Sequence, residues 1–281
     1  MSSSPPAVLT IAGFDPSSGA GVTADIKTIA AHGCYGIAAI TAMTVQSTAG
    51  VRKISPVDPS LLSETLDELV ADMTLSAVHI GMLGAGEIAS RVAAFLERVK
   101  PLKVVLDPIL KSSSGASLLD EVGVKVLKER LLPLATVITP NIDEATAMTG
   151  IPIQSVDDMK LAARRLQDMG AQSVVVTGGH LEAAIDLLCE RGQPAQTFRS
   201  HRVPSKNTHG TGCAFSTAIA CHLAHGRSLS SALLAAKAYV TAAIASAYPL
   251  GKGAGPINHM HVMKNHPQAA EMVKKLPSGK D

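Results

Sequence analysis

The run Lys206-Asn207-Thr208-His209-Gly210-Thr211-Gly212-Cys213-Ala214-Phe215 concentrates residues whose types and spacing could do chemistry. It stands directly before an Ala-rich helical stretch. Gly210 and Gly212 let the backbone turn sharply and approach a ligand closely, at the point where the free N–H groups of a helix start project forward. Such a place holds an anion through backbone donors and the positive helix end. Cys213 falls in the first helical turn, where the dipole lowers a thiol pKa, so a thiolate is expected there. Taken alone, the string also fits a glycine-rich entry into a buried helix with Cys213 as a small apolar packer. The loop histidines His180 and His209 read as structural hydrogen-bonding or water-facing groups. Cys34, Cys189, Cys213 and Cys221 lack CxxC or Cys/His metal spacing and read as neither a disulfide framework nor a zinc site.

The elements that must carry this loop are legible as an alternation. Short β-branched runs at 7–12, 36–45, 77–80, 103–107, 136–139 and 173–177 alternate with amphipathic helical stretches, the pattern of βα units around a mostly parallel sheet. Asp58 and Pro59 mark the start of a helix over 59–73. Ser155 caps another over 156–169, with Asp157 and Asp158 in its first turn and Gly170 at its stop. Residues 185–190 and 195–203, joined through Arg191-Gly192-Gln193-Pro194, predict a hairpin, hence an antiparallel edge after the parallel strands. Helices over 213–224 and 228–247 close the fold. One domain is expected over 1–281, with a loosely held tail from about 264.

Composition narrows the partners. The 281 residues are 46% hydrophobic and 2% aromatic with no Trp, so the core must be Ala, Val, Ile, Leu and Met. A net charge of +2 without a basic block, and so few aromatics, argue against nucleic acid or an anionic membrane as partner. The N-terminal MSSSPPAVLTIAG lacks a basic region followed by a long apolar run, and no uninterrupted apolar stretch is long enough to span a bilayer; a cytoplasmic location is the expectation. No GxGxxG follows the first strand with an acid about twenty residues on, which argues against a dinucleotide-dependent oxidoreductase.

The wider string around Gly210 resembles the GTGC signature of the hydroxymethylpyrimidine kinase and pyridoxal kinase branch of the ribokinase-like kinases, where sugar kinases carry Asp in place of Cys. Other segments are similar to that family in the same order. Ala12-Gly13-Phe14-Asp15-Pro16-Ser17-Ser18-Gly19-Ala20-Gly21-Val22-Thr23-Ala24-Asp25 resembles its first signature, and Met43-Thr44-Val45-Gln46-Ser47 its second-strand segment. Ile80-Gly81-Met82-Leu83 resembles its pocket-lining strand end and Asp107-Pro108 its DP turn. Thr139-Pro140-Asn141-Ile142-Asp143-Glu144 resembles its TPNxxE motif, and Val176-Thr177-Gly178-Gly179-His180 its GGH turn.

The resemblance implies a ribokinase-like three-layer α/β/α sandwich, with the site at the carboxyl ends of the strands. It implies an ATP- and Mg²⁺-dependent kinase acting on a small pyrimidine, a hydroxymethylpyrimidine of thiamine biosynthesis, and leaves a homodimer open. Phosphoryl transfer is mostly positioning and charge stabilisation. Gly210, Gly212 and Cys213 then form the catalytic cradle, Cys213 as base or orienter, while Thr208, Thr211, Asp107, Asn141, Thr177 and Gly179 line the nucleotide. Asn141 and Glu144 suit Mg²⁺, which favours oxygen ligands; without the other motifs they would read equally well as a helix cap. Some relatives carry Lys at the position of Thr177, so no charge contact is carried over there. Gly13, Asp25, Gln46 and Met82 match acceptor-contacting positions. Asp25 would accept from the pyrimidine amine, Gln46 would donate and accept, and Met82 would cover the ring. The rival acceptor is pyridoxine or pyridoxal, and the rival class is a non-catalytic nucleotide- or vitamin-binding regulator.

Overall fold

The computed structural model describes residues 4–101, 103–112, 115–179 and 184–263; His180 and the tail expected from about 264 lie outside the described residues. One nine-stranded sheet has the order β3-β2-β1-β4-β5-β6-β7-β8-β9. Its parallel body comprises β2 (Tyr35–Ser47), β1 (Ala7–Phe14), β4 (Ala77–Ile80), β5 (Val104–Leu106), β6 (Val137–Ile138) and β7 (Ser173–Gly178). The expected hairpin forms as β8 (Ala184–Glu190) and β9 (Gln196–Ser200), antiparallel to β7 and to each other.

Adjacent residues on the strands feed two separate cores, because side chains alternate across a sheet. Leu9, Val78, Val104, Ile138 and Val174 face one side, covered by α2 (Pro59–Asp72), α3 (Gly86–Val99), α6 (Ile142–Thr149) and α7 (Val156–Asp168). Val8, Ala77, Val105, Val137 and Val175 face the other, covered by α1 (Gly21–Ala31), α8 (Thr211–Ala224) and α9 (Leu229–Ala245). Burial on both faces explains why the strands read as continuous apolar runs. Between β5 and β6, α4 (Glu121–Val126) passes through a π-helical turn at Leu127–Leu131 into the short α5 (Leu132–Leu134).

Asp58 and Ser155 cap their helices as expected, each accepting backbone N–H groups of the first turn. The sequence reading missed β3 (Gly50–Pro56), which pairs antiparallel with β2 and gives the sheet a second antiparallel edge. Arg52 and Lys53 are exposed on this strand, which has a neighbour on one side alone; an edge strand of that kind carries no apolar run to reveal it. α8 starts at Thr211, two residues before the expected start, so Cys213 stands third in the helix. Residues Ala214–Leu223 of α8 are all buried, as a helix apolar on every side must be.

Candidate active site

A cavity of about 620 Å³ opens at the carboxyl ends of β1, β4, β5, β6 and β7 and is walled by the N-terminus of α8. Gly210, Thr211, Gly212, Cys213, Thr208, Gly13, Asp25, Gln46, Met82, Asp107, Asn141, Glu144 and Thr177 all line it. Gly179 is not among the lining residues; it lies exposed in the turn after β7.

Gly210 is the N-cap of α8 at φ 86°, and a Cβ there would stand 1.8 Å from the Gly19 carbonyl oxygen. Two loops distant in sequence are thereby pressed together at the helix mouth. The Thr211 N–H is taken by the Thr208 carbonyl at 3.2 Å and the Ala214 N–H by Gly210 at 2.9 Å. Gly212 and Cys213 have no helical carbonyl four residues back to accept from them, and both line the cavity, an arrangement able to hold an anion.

The Cys213 thiolate expected from the helix dipole is corrected. Burial, and then the carboxylates of Asp25, Asp107 and Asp15, push the thiol well above its ordinary value against the N–H of Gly21 that would favour ionisation. Three nearby full charges outweigh the partial charge of one helix end.

Asp25 is wholly buried at the cavity floor, with Oδ2 accepting from Thr10 Oγ1 at 2.6 Å and Oδ1 from Thr217 Oγ1 at 2.8 Å. These two bonds fix the carboxylate in place from below. His79, also fully buried, connects it onward: Nδ1 lies 3.4 Å from Asp25 Oδ2, and Nε2 lies 2.9 Å from Ser216 Oγ, which donates to Asp107 Oδ2 at 3.2 Å. Burial lowers the His79 pKa, but the charges of Asp25 and Asp107 and the bond to Asp25 outweigh it and raise the value above that of a free imidazole.

Asn141 and Glu144 form a reciprocal capping box for α6: Glu144 N–H donates to Asn141 Oδ1 and Asn141 N–H to Glu144 Oε2, both at 2.9 Å. The capping reading of this pair is thus what the hydrogen bonds display. Burial and the charge of Asp107 push the Glu144 carboxyl up to about 8, and burial carries Asp107 up to about 6 despite His79 and Ser216. Two buried carboxyls that repel each other are an oxygen donor set suited to a hard divalent cation. Among the described residues no cluster of three or more His, Cys, Asp or Glu side chains could hold a metal by itself.

On the opposite wall, Met82 is buried against Gly13, where a Cβ would stand 3.0 Å from its sulfur. Gln46 Oε1 accepts from Thr44 Oγ1 at 3.2 Å, and its Nε2 lies 3.4 Å from His209 Nε2. His209 was underrated by the sequence reading. Its Nε2 lies 2.8 Å from Asp15 Oδ2, while Asp15 also accepts from the N–H groups of Ser17 at 2.8 Å and Ala20 at 2.9 Å. Burial opposes ionisation of Asp15, but the bonds from His209, Ser17 and Ala20 outweigh it and hold the carboxyl below the usual range. The pair ties the first glycine loop to the loop before α8. Lys111, exposed on the cavity wall, is a further lining residue absent from the expected set.

Residues 15–258 match the family model described as phosphomethylpyrimidine kinase. The hydroxymethylpyrimidine/phosphomethylpyrimidine kinase of Haemophilus influenzae is 43% identical over 259 residues, covering 90% of this chain and 96% of that protein. The chain belongs to the phosphomethylpyrimidine kinase family. The thiamine biosynthesis bifunctional protein ThiED of Geobacter sulfurreducens is 46% identical over 255 residues; the match covers 90% of this chain and 52% of that longer relative. Among solved structures, a pyridoxal kinase of Bacillus subtilis in an ADP complex superposes with a TM-score of 0.85 at 34% identity, covering 93% of this chain and all of that one. A phosphomethylpyrimidine kinase of Clostridium difficile gives 0.76 at 37% identity, covering 85% and 99%. The mostly parallel sheet with helices on both faces is thus the ribokinase-like architecture of this kinase family. Within a phosphomethylpyrimidine kinase, the signal that could have found His209 and Asp15 was their place inside the two loop motifs; their partnership across the fold left no trace in spacing.

Proposed function

We propose that this chain transfers the γ-phosphoryl of ATP to the hydroxymethyl group of 4-amino-5-hydroxymethyl-2-methylpyrimidine, and then phosphorylates the resulting monophosphate. The observation that carries the reading is the shared cavity: the α8 cradle, the Asp107–Asn141–Glu144 oxygen group and the Gln46–Met82 wall face one space. The N–H groups of Gly212 and Cys213 take the charge of the phosphoryl oxygens in the transition state. Thr208, Thr211 and Thr177 line the nucleotide side. Glu144 and Asn141, supported by Asp107, would hold Mg²⁺, which would supply charge neutralisation for the phosphates. Cys213, kept neutral by its surroundings, orients the acceptor hydroxyl. The new O–P bond forms at that hydroxyl as the bond from the γ-phosphorus to the ADP oxygen breaks, and the hydroxyl proton passes to solvent. Gln46 pairs with the polar edge of the ring and Met82 packs on its face.

The likeness to a pyridoxal kinase of known structure supports a second acceptor, pyridoxal or pyridoxine, in the same cavity. A panel of both acceptors with ATP and Mg²⁺, products identified by mass, decides between them. The pyrimidine is expected to have the higher kcat/KM. Gln46→Ala is expected to lower it by about tenfold or more while leaving ATP parameters little changed, since a pocket built to hydrogen-bond a heteroatom leaves its ligand unpaired when truncated. A wild-type preference for pyridoxine, or an unchanged acceptor ratio in Gln46→Ala, would replace the pyrimidine reading with the pyridoxal one.

A further inference from the structure

Part of the cavity rim is built by two segments from opposite ends of the chain. Thr48 and Ala49 turn β2 into β3, and the glycine-rich run Gly251-Lys252-Gly253-Ala254-Gly255 follows α9. Thr48, Ala49, Gly253 and Ala254 all line the cavity. Gln46 precedes Thr48 by two residues, and Val51, just beyond the turn, packs into the cluster of Ala42, Met82 and Leu118. This stretch of rim therefore belongs to the wall that Gln46 and Met82 form.

The two segments meet through backbone and one hydroxyl. The Gly253 N–H donates to Thr48 Oγ1 at 3.2 Å. A Cβ on Gly253 would stand 1.9 Å from the Thr48 carbonyl oxygen, and one on Gly251 would stand 2.1 Å from Thr48 Oγ1. Gly253 lies outside the left-handed region, so its missing side chain serves the close approach and not a turn. The same run is tied to the loop before α8: the His209 N–H donates to the Gly255 carbonyl at 3.1 Å, and the Ile257 N–H to the His209 carbonyl at 3.3 Å. The His209 ring in turn stands 3.4 Å from the Gln46 amide nitrogen. A closed circuit of contacts thus runs from Gln46 through Thr48, Gly253 and His209 back to Gln46.

We infer that Thr48 and Gly253 are a specificity-determining pair. Their contact fixes how far the β2–β3 turn stands from the segment after α9, and with it the room for substituents on the acceptor ring. Both are positioning residues, acting through the wall they hold and not on the reacting atoms. The inference rests on the reading of Gln46 and Met82 as the acceptor wall. A pocket rejects a bulkier ligand through clashes, and a clash is enforced by a wall that cannot give way. Pyridoxine carries an additional ring substituent relative to the aminopyrimidine, so a loosened rim favours pyridoxine in relative terms.

The test is steady-state kinetics of the full-length enzyme with both acceptors and with ATP, on Gly253→Ala, Thr48→Val and Thr48→Ser, each checked for folding by its melting curve. Gly253→Ala pushes the two segments apart; it should raise the KM of the acceptor that the wild type prefers about tenfold and leave the KM for ATP within about twofold. The ratio of kcat/KM between aminopyrimidine and pyridoxine should fall by about threefold or more. Thr48→Val keeps the volume but loses the hydroxyl, and should raise the acceptor KM by about three- to tenfold, the scale of one hydrogen bond. Thr48→Ser keeps the hydroxyl and should stay within about twofold of the wild type. If Gly253→Ala does not fold, the comparison of Val with Ser at position 48 decides alone. Folded variants with the wild-type acceptor KM and acceptor ratio, or an equal rise in the KM for ATP, overturn the pair. A wild type that prefers pyridoxine would replace the pyrimidine reading and leave this test standing, because each variant is compared on the acceptor that the wild type prefers.

Discussion

Cys213 stands third in α8, where a helix N-terminus ordinarily favours a thiolate, yet the three carboxylates around it and its burial keep the thiol protonated. A neutral thiol at that place is an orienter more than a base, and its loss should act on geometry. Cys213→Ala is expected to lower kcat on the order of 10²-fold, the scale of a misplaced reacting group. ATP affinity should hold, because the cradle is backbone. Cys213→Ser, which keeps a donor and acceptor, should recover much of the rate. Steady-state kinetics with calorimetric ATP binding checks this; a folded Cys213→Ala enzyme at wild-type turnover would remove Cys213 from the mechanism.

At the scale of elements, the mouth of α8 depends on two glycine loops that interlock. Gly210 carries φ 86°, and a Cβ on it would collide with the Gly19 carbonyl. Gly192, in the β8–β9 turn, has φ 76° with nothing within 4 Å of a Cβ, so it isolates the conformational part. Gly192→Ala is expected to cost about 1 kcal/mol, and Gly210→Ala distinctly more because the loops must also separate. Only the second should raise the KM for ATP. Denaturant unfolding of both variants with ATP kinetics measures this, and equal costs would mean that the close approach is easily relieved.

The whole molecule is joined under the site by buried polar groups from five places: Thr10 on β1, Asp25 on α1, His79 on β4, Asp107 after β5, and Ser216 and Thr217 on α8. His79 is the imidazole that this network surrounds with Asp25 and Asp107, whose charges favour its protonation. Its folded pKa is raised above the unfolded value of 6.5, so its stabilisation is fully present below about 6.5 and is lost as pH rises through the folded value. His79→Gln removes one partner of a buried charged set and is expected to cost about 3–5 kcal/mol. Melting temperatures across pH 6 to 9 should fall with rising pH in the wild type and vary less in His79→Gln. Parallel pH curves for the two proteins would show that His79 is neutral in the fold.

By itself the sequence determined the βα alternation, the helix caps at Asp58 and Ser155, the hairpin after β7 and the glycine loop before α8, because each is a short-range pattern of apolar spacing, capping residues and glycines. The family motifs likewise placed Gln46, Met82, Asn141 and Glu144 in one cavity. The edge strand β3 escaped, since a strand paired on one side needs no apolar run. Only the tertiary structure decided which charges act on one another. The state of Cys213 depends on Asp25 and Asp107, far away in sequence, and the position of Asp25 at the floor depends on Thr10 and Thr217. His209 gained its partner from a loop at the other end of the chain. Local sequence sets backbone conformation, whereas a pKa or a buried hydrogen bond is set by whatever the folded chain brings within a few ångströms.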